Sequence, residues 1–149
     1  MAKIFYTPEY DNLVLKNYKN NMGQEKIPQN FAMMDLTLEN LDNRNLDCTD
    51  FSYSDLKSAS FRGATMKYTI LRCTSAIKAS FQNSNMSGAD LHYADFRWSD
   101  LRGANLSHAD VHNAKFFGAM YDEHTSLPFS RVEALTKGMV YVPSLALEA

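Results

Sequence analysis

A five-residue register constrains this chain more tightly than any other feature it has. Every fifth residue from Leu46 reads Leu46, Phe51, Leu56, Phe61, Met66, Leu71, Ala76, Phe81, Met86, Leu91, Phe96, Leu101, Leu106, Val111 and Phe116, and all but Ala76 are large and apolar. The position two residues ahead of each centre, from Thr49 through Ser54, Ala59, Ala64 and onward to Ala119, holds only Ala, Ser or Thr. No insertion or deletion interrupts either column. A period of five is neither the 3.6 of an amphipathic helix nor the 2 of a half-buried strand.

The small and large residues are two apart, so on an extended segment they point to the same side. The other three residues must turn the chain until the next pair again points inward. Repetition winds the backbone into a coil with a small/large interior, and coils stack by ladder hydrogen bonds about 4.8 Å apart. A single coil has no core of its own and is stabilised by its neighbours.

Segments such as Met86 to Val111, MSGADLHYADFRWSDLRGANLSHADV, resemble the A(D/N)LXX pattern of the pentapeptide-repeat family. The resemblance implies an all-β solenoid, a right-handed quadrilateral β-helix with four pentapeptides to a coil. Residues 31–121 would then make about four to five coils, a core about 22 Å long. Glu39 and Arg44 stand where a small residue belongs, which predicts an irregular first coil. Ala76 is undersized for a centre, and Phe96, stacked on it twenty residues later, is expected to fill the space.

A solenoid exposes apolar faces at its ends and needs caps. The reading divides the chain into an N-terminal capping segment (1–30), the repeat domain (31–121) and a C-terminal capping helix and tail (122–149). Thr7-Pro8-Glu9 is a helix start, with Thr as N-cap and Pro in the first turn. Tyr10, Leu13, Val14 and Tyr18 follow on one face, and Asn20-Asn21-Met22-Gly23 ends the helix. This helix is expected to plug the coil end, with partner binding as the alternative. At the other end, Ser130 and Glu133 have capping-box spacing and Gly138 suits a C′ position, predicting a helix over 131–137. Met139-Val140-Tyr141-Val142 is a short β-branched run, expected either to add a strand or to self-associate. The family resemblance implies a possible homodimer through this end.

A 20-residue coil stacks residues twenty apart, which lets the surface be read. Asp50, Ile70, Asp90 and Asp110 form one column, and Asp35, Asp55, Ser75 and Asp95 another. Lys57, Ile77, Arg97 and Phe117 form a third, with Trp98 beside Arg97. Exposed aromatics near arginine are typical of protein interfaces, so Ile77, Arg97, Trp98 and Phe117 are the candidate partner-binding face. The competing reading packs Trp98 and Phe117 under a terminal segment. Tyr53, Tyr68 and Tyr93 fall at coil corners, where the family commonly carries large residues.

Several members of the family resemble a B-DNA duplex and bind DNA gyrase or topoisomerase IV. Such a mimic needs excess negative charge, because grooves that bind phosphates are basic. Residues 31–121 hold ten acids and nine bases, and the whole chain has a formal net charge of -2. Local acidity is confined chiefly to the strip Asp50, Asp90 and Asp110. The balance also argues against direct nucleic-acid binding.

No Gly-rich phosphate loop, HExxH or GxSxG occurs, and no cofactor is implied. His92 and His112 stack one coil apart without an evident third ligand, so they are read as surface histidines and no metal site is assigned. Cys48 and Cys73 make neither a disulfide framework nor a CxxC, which suits free thiols in a reducing compartment. The first residues lack a continuous apolar stretch, so neither secretion nor a membrane span is predicted and the cytoplasm is expected. The sequence therefore predicts a non-enzymatic protein-binding or scaffold protein, with DNA mimicry toward a type II topoisomerase as the alternative.

Overall fold

The computed structural model describes residues 30–145. The helix expected over residues 7–23 lies outside the described residues. From Asn30 onward, a parallel bridge falls at every fifth residue and joins it to the residue twenty further on, from Asn30↔Asp50 to Asp100↔Met120. Four pentapeptides therefore complete each coil, and every coil sits on the one before it.

Hydrogen bonding explains why five residues form one side. The centre residue donates its N–H to the next coil, as Phe51 does to the Ile70 carbonyl at 2.7 Å. The second residue after the centre does the same, as Tyr53 does to Arg72 at 2.9 Å. The third after it closes a turn back onto the centre, Ser54 N–H to Phe51 C=O at 3.1 Å. The fourth donates to the previous coil, Asp55 N–H to Met34 C=O at 2.9 Å.

The turn places the second residue after each centre in the left-handed region. Glycine occupies it at Gly63, Gly88, Gly103 and Gly118, but fourteen non-glycine residues, from Met33 to Asn113, also have φ between 54 and 62°. Each such residue costs about 1–2 kcal/mol of backbone strain. The strain is offset because the same conformation aims both the turn N–H and the ladder N–H at carbonyls.

One N–H in each pentapeptide, on the residue after the centre, has no carbonyl to reach. In fourteen pentapeptides a side chain takes it, and in those of Arg72, Ile77, Gln82 and Phe117 none does among the described residues. The residue before the centre is Asp or Asn at twelve positions where its Oδ1 accepts this bond, among them Asp50 to Ser52 (2.8 Å), Asp90 to His92 (3.1 Å), Asn105 to Ser107 (2.9 Å) and Asp110 to His112 (3.1 Å). Where that residue is Ser60 or Thr65, the carboxylates of Asp42 and Asp47 from the preceding coil reach up to the Arg62 and Lys67 N–H groups instead, at 2.8 and 2.9 Å.

The interior follows the two columns of the sequence. Centres from Phe31 to Leu106 are buried, and the small column from Thr49 to Ala109 lies beside them. Phenylalanines stack along the axis, with Phe61 and Phe81 parallel at 5.1 Å between ring centroids and Phe96 and Phe116 at 5.8 Å. Phe96, which follows the small Ala76 one coil on, also lies 5.2 Å from Phe81. Several buried hydroxyls of the small column donate to the backbone, as Ser54 and Ser99 do to the carbonyls of Phe51 and Phe96, whereas the Ser84 hydroxyl has no partner among the described residues.

The first coil is regular, contrary to the expectation from Glu39 and Arg44. Both residues pass their carbonyls to the next coil, at Ser60 and Thr65, in the same ladder as their neighbours. Their side chains are half-buried, and the residues stacked on them are Ala59 and Ala64. Small partners in the following coil leave room for long side chains to lean outward.

At the C-terminal end, strand β1 (Met120–Tyr121) pairs in parallel with β2 (Val140–Tyr141), which continues the twenty-residue spacing. Between them the pairing slips by one residue, to Asn105↔Ser126. Buried Asp122 tucks the extra residue in, its Oδ1 accepting from the N–H groups of Gly103 and His124, both at 3.0 Å. Helix α1 spans Arg131–Thr136, one residue shorter than expected. Ser130 is its N-cap and accepts the Glu133 N–H at 3.1 Å. Gly138 N–H bonds to Leu135 C=O and Met139 N–H to Ala134 C=O, the paired bonds of a Schellman stop, with Gly138 at φ 72°. Ala134 and Met139 join the buried core. Among the described residues, no helix is long and apolar enough to cross a membrane.

Candidate functional site

The ladder confirms the column Lys57, Ile77, Arg97 and Phe117: Ser58 N–H bonds to Ile77 C=O, Lys78 N–H to Arg97 C=O, and Trp98 N–H to Phe117 C=O. The four residues Ile77, Arg97, Trp98 and Phe117 are thus brought to one face. Ile77 is half-buried. Trp98 and Phe117 are 50% and 58% exposed, and their rings meet edge to face at 5.2 Å and 88°.

Two glycines hold this aromatic pair. Trp98 lies over Gly118, where an added Cβ would stand 2.2 Å from Cε3 of the indole. Phe117 lies against Gly138, where a Cβ would stand 2.6 Å from Cδ2 of the ring. The turn after α1 therefore supports Phe117 from one side, so the expectation that a terminal segment packs on this pair holds in part, and more than half of Phe117 stays exposed. Arg97 is fixed too, its Nε and Nη2 reaching Asp95 Oδ2 at 3.0 and 2.7 Å. The Asp95 carboxyl is pushed up by burial but held below its usual range by hydrogen bonds from the Arg97 side chain and N–H and by that guanidinium's charge.

The acidic strip is brought together as the columns predicted, with Asp50, Ile70, Asp90 and Asp110 bridged in order. Of its three carboxylates only that of Asp90 meets an arginine among the described residues. Arg72 binds Asp90 through Nε. Burial raises the Asp90 carboxyl, but bonds from Arg72 and the His92 N–H leave it below its ordinary value. On other faces Lys57 pairs with Asp55 at 2.8 Å and Arg102 with Asp100 at 2.6 Å. Each of Asp50, Asp90 and Asp110 also caps a turn N–H.

His92 and His112 stack one coil apart as the columns predict, at 5.4 Å with their rings 11° from parallel; what column reading missed is the Asp110 carboxylate beside both rings. The sequence placed Asp110 in the acidic strip; its nearness to His92 follows from two columns, one just before and one just after the centres, running along the same face.

The architecture defines a class first: a closed β-solenoid of twenty-residue coils whose outward side chains are set by a strict register. The family model for pentapeptide repeats matches this chain in eight copies, with residues 45–83, 69–107 and 79–118 among those matched. The chain belongs to the pentapeptide-repeat family.

The fold is similar to that of a pentapeptide repeat protein from the Arabidopsis thaliana thylakoid lumen, 15% identical, over 80% of this chain and 83% of that one with a TM-score of 0.65. A pentapeptide repeat protein from Nostoc is 25% identical over 88% of this chain and 94% of that one, with a TM-score of 0.44. QnrB1, a plasmid-mediated fluoroquinolone resistance protein, is 18% identical over 76% of this chain and 79% of that one, with a TM-score of 0.35. No curated protein sequence matches significantly.

Proposed function

We propose that this chain is a non-enzymatic binding protein of the cytoplasm: a right-handed quadrilateral rod, capped at its C-terminal end by α1, that presents the face of Ile77, Arg97, Trp98 and Phe117 to a protein partner. The observation that carries this reading is the Trp98–Phe117 pair. Two large rings stand half-exposed, are locked edge to face, and rest on glycines rather than on flexible side chains. Aromatic anchors held rigid in the free protein lose little side-chain entropy on docking, and Trp, Tyr and Arg dominate binding hot spots. Arg97 beside them is held by Asp95 in the orientation it would present to a partner.

DNA mimicry has less support. The Asp and Asn residues before the centres cap backbone N–H groups, which accounts for the acidic columns without a topoisomerase. The strip's Asp90 is bound to Arg72 on the same face, which reduces the negative charge that a mimic needs.

Affinity capture with the purified chain as bait tests the proposal. A partner should be retained by wild type and lost by Trp98→Ala and by Phe117→Ala, with circular dichroism unchanged. Retention of the same partner by both variants refutes the assigned face. Inhibition of gyrase supercoiling that survives both substitutions would transfer the function to the acidic strip.

A further inference from the structure

We propose that His92, Asp110 and His112 form a binding site for a first-row divalent metal ion such as Zn2+, which clamps two consecutive coils together. The donor atoms of the three residues all lie within 4.8 Å of one another. His92 Nδ1 stands 3.3 Å from Asp110 Oδ2, and His112 Nδ1 stands 3.4 Å from Asp110 Oδ1. Two ligands of a tetrahedral zinc, each about 2.0–2.1 Å from the metal, are separated by about 3.3 Å. The His92–Asp110 pair therefore already has the spacing of one edge of such a site.

A second observation points the same way. His92 Nδ1 is shielded from solvent yet makes no hydrogen bond, although it faces carboxylate oxygens of both Asp90 and Asp110 at 3.3 Å. A shielded ring nitrogen flanked by two carboxylates, with hydrogen-bond geometry to neither, has surroundings that a cation would satisfy.

The neighbouring groups favour the assignment. Asp110 Oδ1 accepts the His112 N–H at 3.1 Å, which orients the carboxylate and turns Oδ2 toward His92. Such outer hydrogen bonds set ligand orientation in metal sites. Asp90 is held through Oδ2 by Arg72, with its Oδ1 3.3 Å from His92 Nδ1 at the edge of the site. His112 is 79% exposed at its side chain and turns freely to bring its lone pair onto the same point as His92, whose side chain is 29% exposed. Two imidazoles and one carboxylate suit zinc, nickel or copper and not magnesium or calcium. Three protein ligands leave the fourth position to water, and Asp90↔Asp110 pairing places the ligands on successive coils.

The test is a competition assay between the untagged full chain and a fluorescent zinc chelator. One Zn2+ per chain should bind, Mg2+ in millimolar excess should not displace it, and Zn2+ should raise the thermal midpoint. His112→Ala and Asp110→Asn should each weaken binding at least tenfold and abolish the thermal shift. Asn at 110 keeps the turn cap and His112 is exposed, so both variants should fold as wild type does. A doubly substituted His108→Ala, His124→Ala chain and a Cys48→Ser, Cys73→Ser chain should bind as wild type does. Absence of binding, or equal binding by His112→Ala, overturns the proposal. Loss of binding only with the cysteine substitutions overturns it as well.

Discussion

If the acids of the repeat are turn caps, their oxygen matters and their charge does not, and Asp50 separates the two. Its Oδ1 accepts the Ser52 N–H at 2.8 Å, with no cation within ion-pair distance among the described residues. Asp50→Asn keeps an acceptor oxygen in the same place and removes the charge. Asp50→Ala removes both and leaves a half-buried N–H without its partner, a loss of about 1 kcal/mol by analogy with helix N-caps. For a chain of this size that corresponds to a fall of roughly 2–4 °C in Tm. Asn should lie closer to wild type than to Ala, since it keeps the acceptor oxygen and gives up only the extra strength of a charged one. Urea denaturation and calorimetry on the three proteins decide the matter. Equal destabilisation by Asn and Ala would show that charge is what the position needs. No effect from Ala would show that water serves the Ser52 N–H as well as the side chain does.

Other consequences follow from the same structure. Gly118→Ala forces a Cβ to within 2.2 Å of the Trp98 ring at a φ of 73°, so it should cost about 1–2 kcal/mol. Because Trp98 is the single tryptophan, its fluorescence emission should shift as the ring is displaced; unchanged emission would contradict the packing. Phe81→Ala removes a ring stacked 5.1 Å from Phe61 and 5.2 Å from Phe96, and should cost about 3–5 kcal/mol in denaturant. Hydrogen bonds from Thr37 hold the Asp35 carboxyl below its ordinary value, and Asp90, Asp95 and Asp100 are likewise lowered despite burial. A depressed folded-state pKa adds stability above the unfolded value of about 3.9 and loses it as pH falls through the folded value. Stability should therefore be level from pH 7 to about 5 and decline below about 4, as acid titration followed by circular dichroism would record.

Much of this was legible in the sequence because the register is strict. Once the coil length is twenty, Lys57, Ile77, Arg97 and Phe117 must share a face, and the ladder bonds place them so. What escaped was the part that depends on individual atoms. The column containing Asp50 and Asp90 was read as charge, whereas the structure uses its oxygens to satisfy N–H groups that the left-handed turns leave over. Glu39 and Arg44 were expected to disturb the first coil, but Ala59 and Ala64 above them leave space. The one-residue slip beyond Tyr121 was hidden because Asp122 and Thr125 absorb it through side-chain bonds that no periodicity reveals. Asp110 came to His92 only when two columns were placed side by side.

The proposed binding through Trp98 and Phe117, and not through the acids, can be separated from its alternative by affinity and salt. The most direct test is the affinity of a captured partner for wild type, for Trp98→Ala, and for the triple variant Asp50→Asn, Asp90→Asn, Asp110→Asn, each measured across a range of salt concentrations. The account predicts a loss of at least 2 kcal/mol, about thirtyfold in Kd, for Trp98→Ala, with little change for the triple variant and a shallow salt dependence. A steep salt dependence that disappears in the triple variant, with Trp98→Ala binding as wild type does, would contradict it.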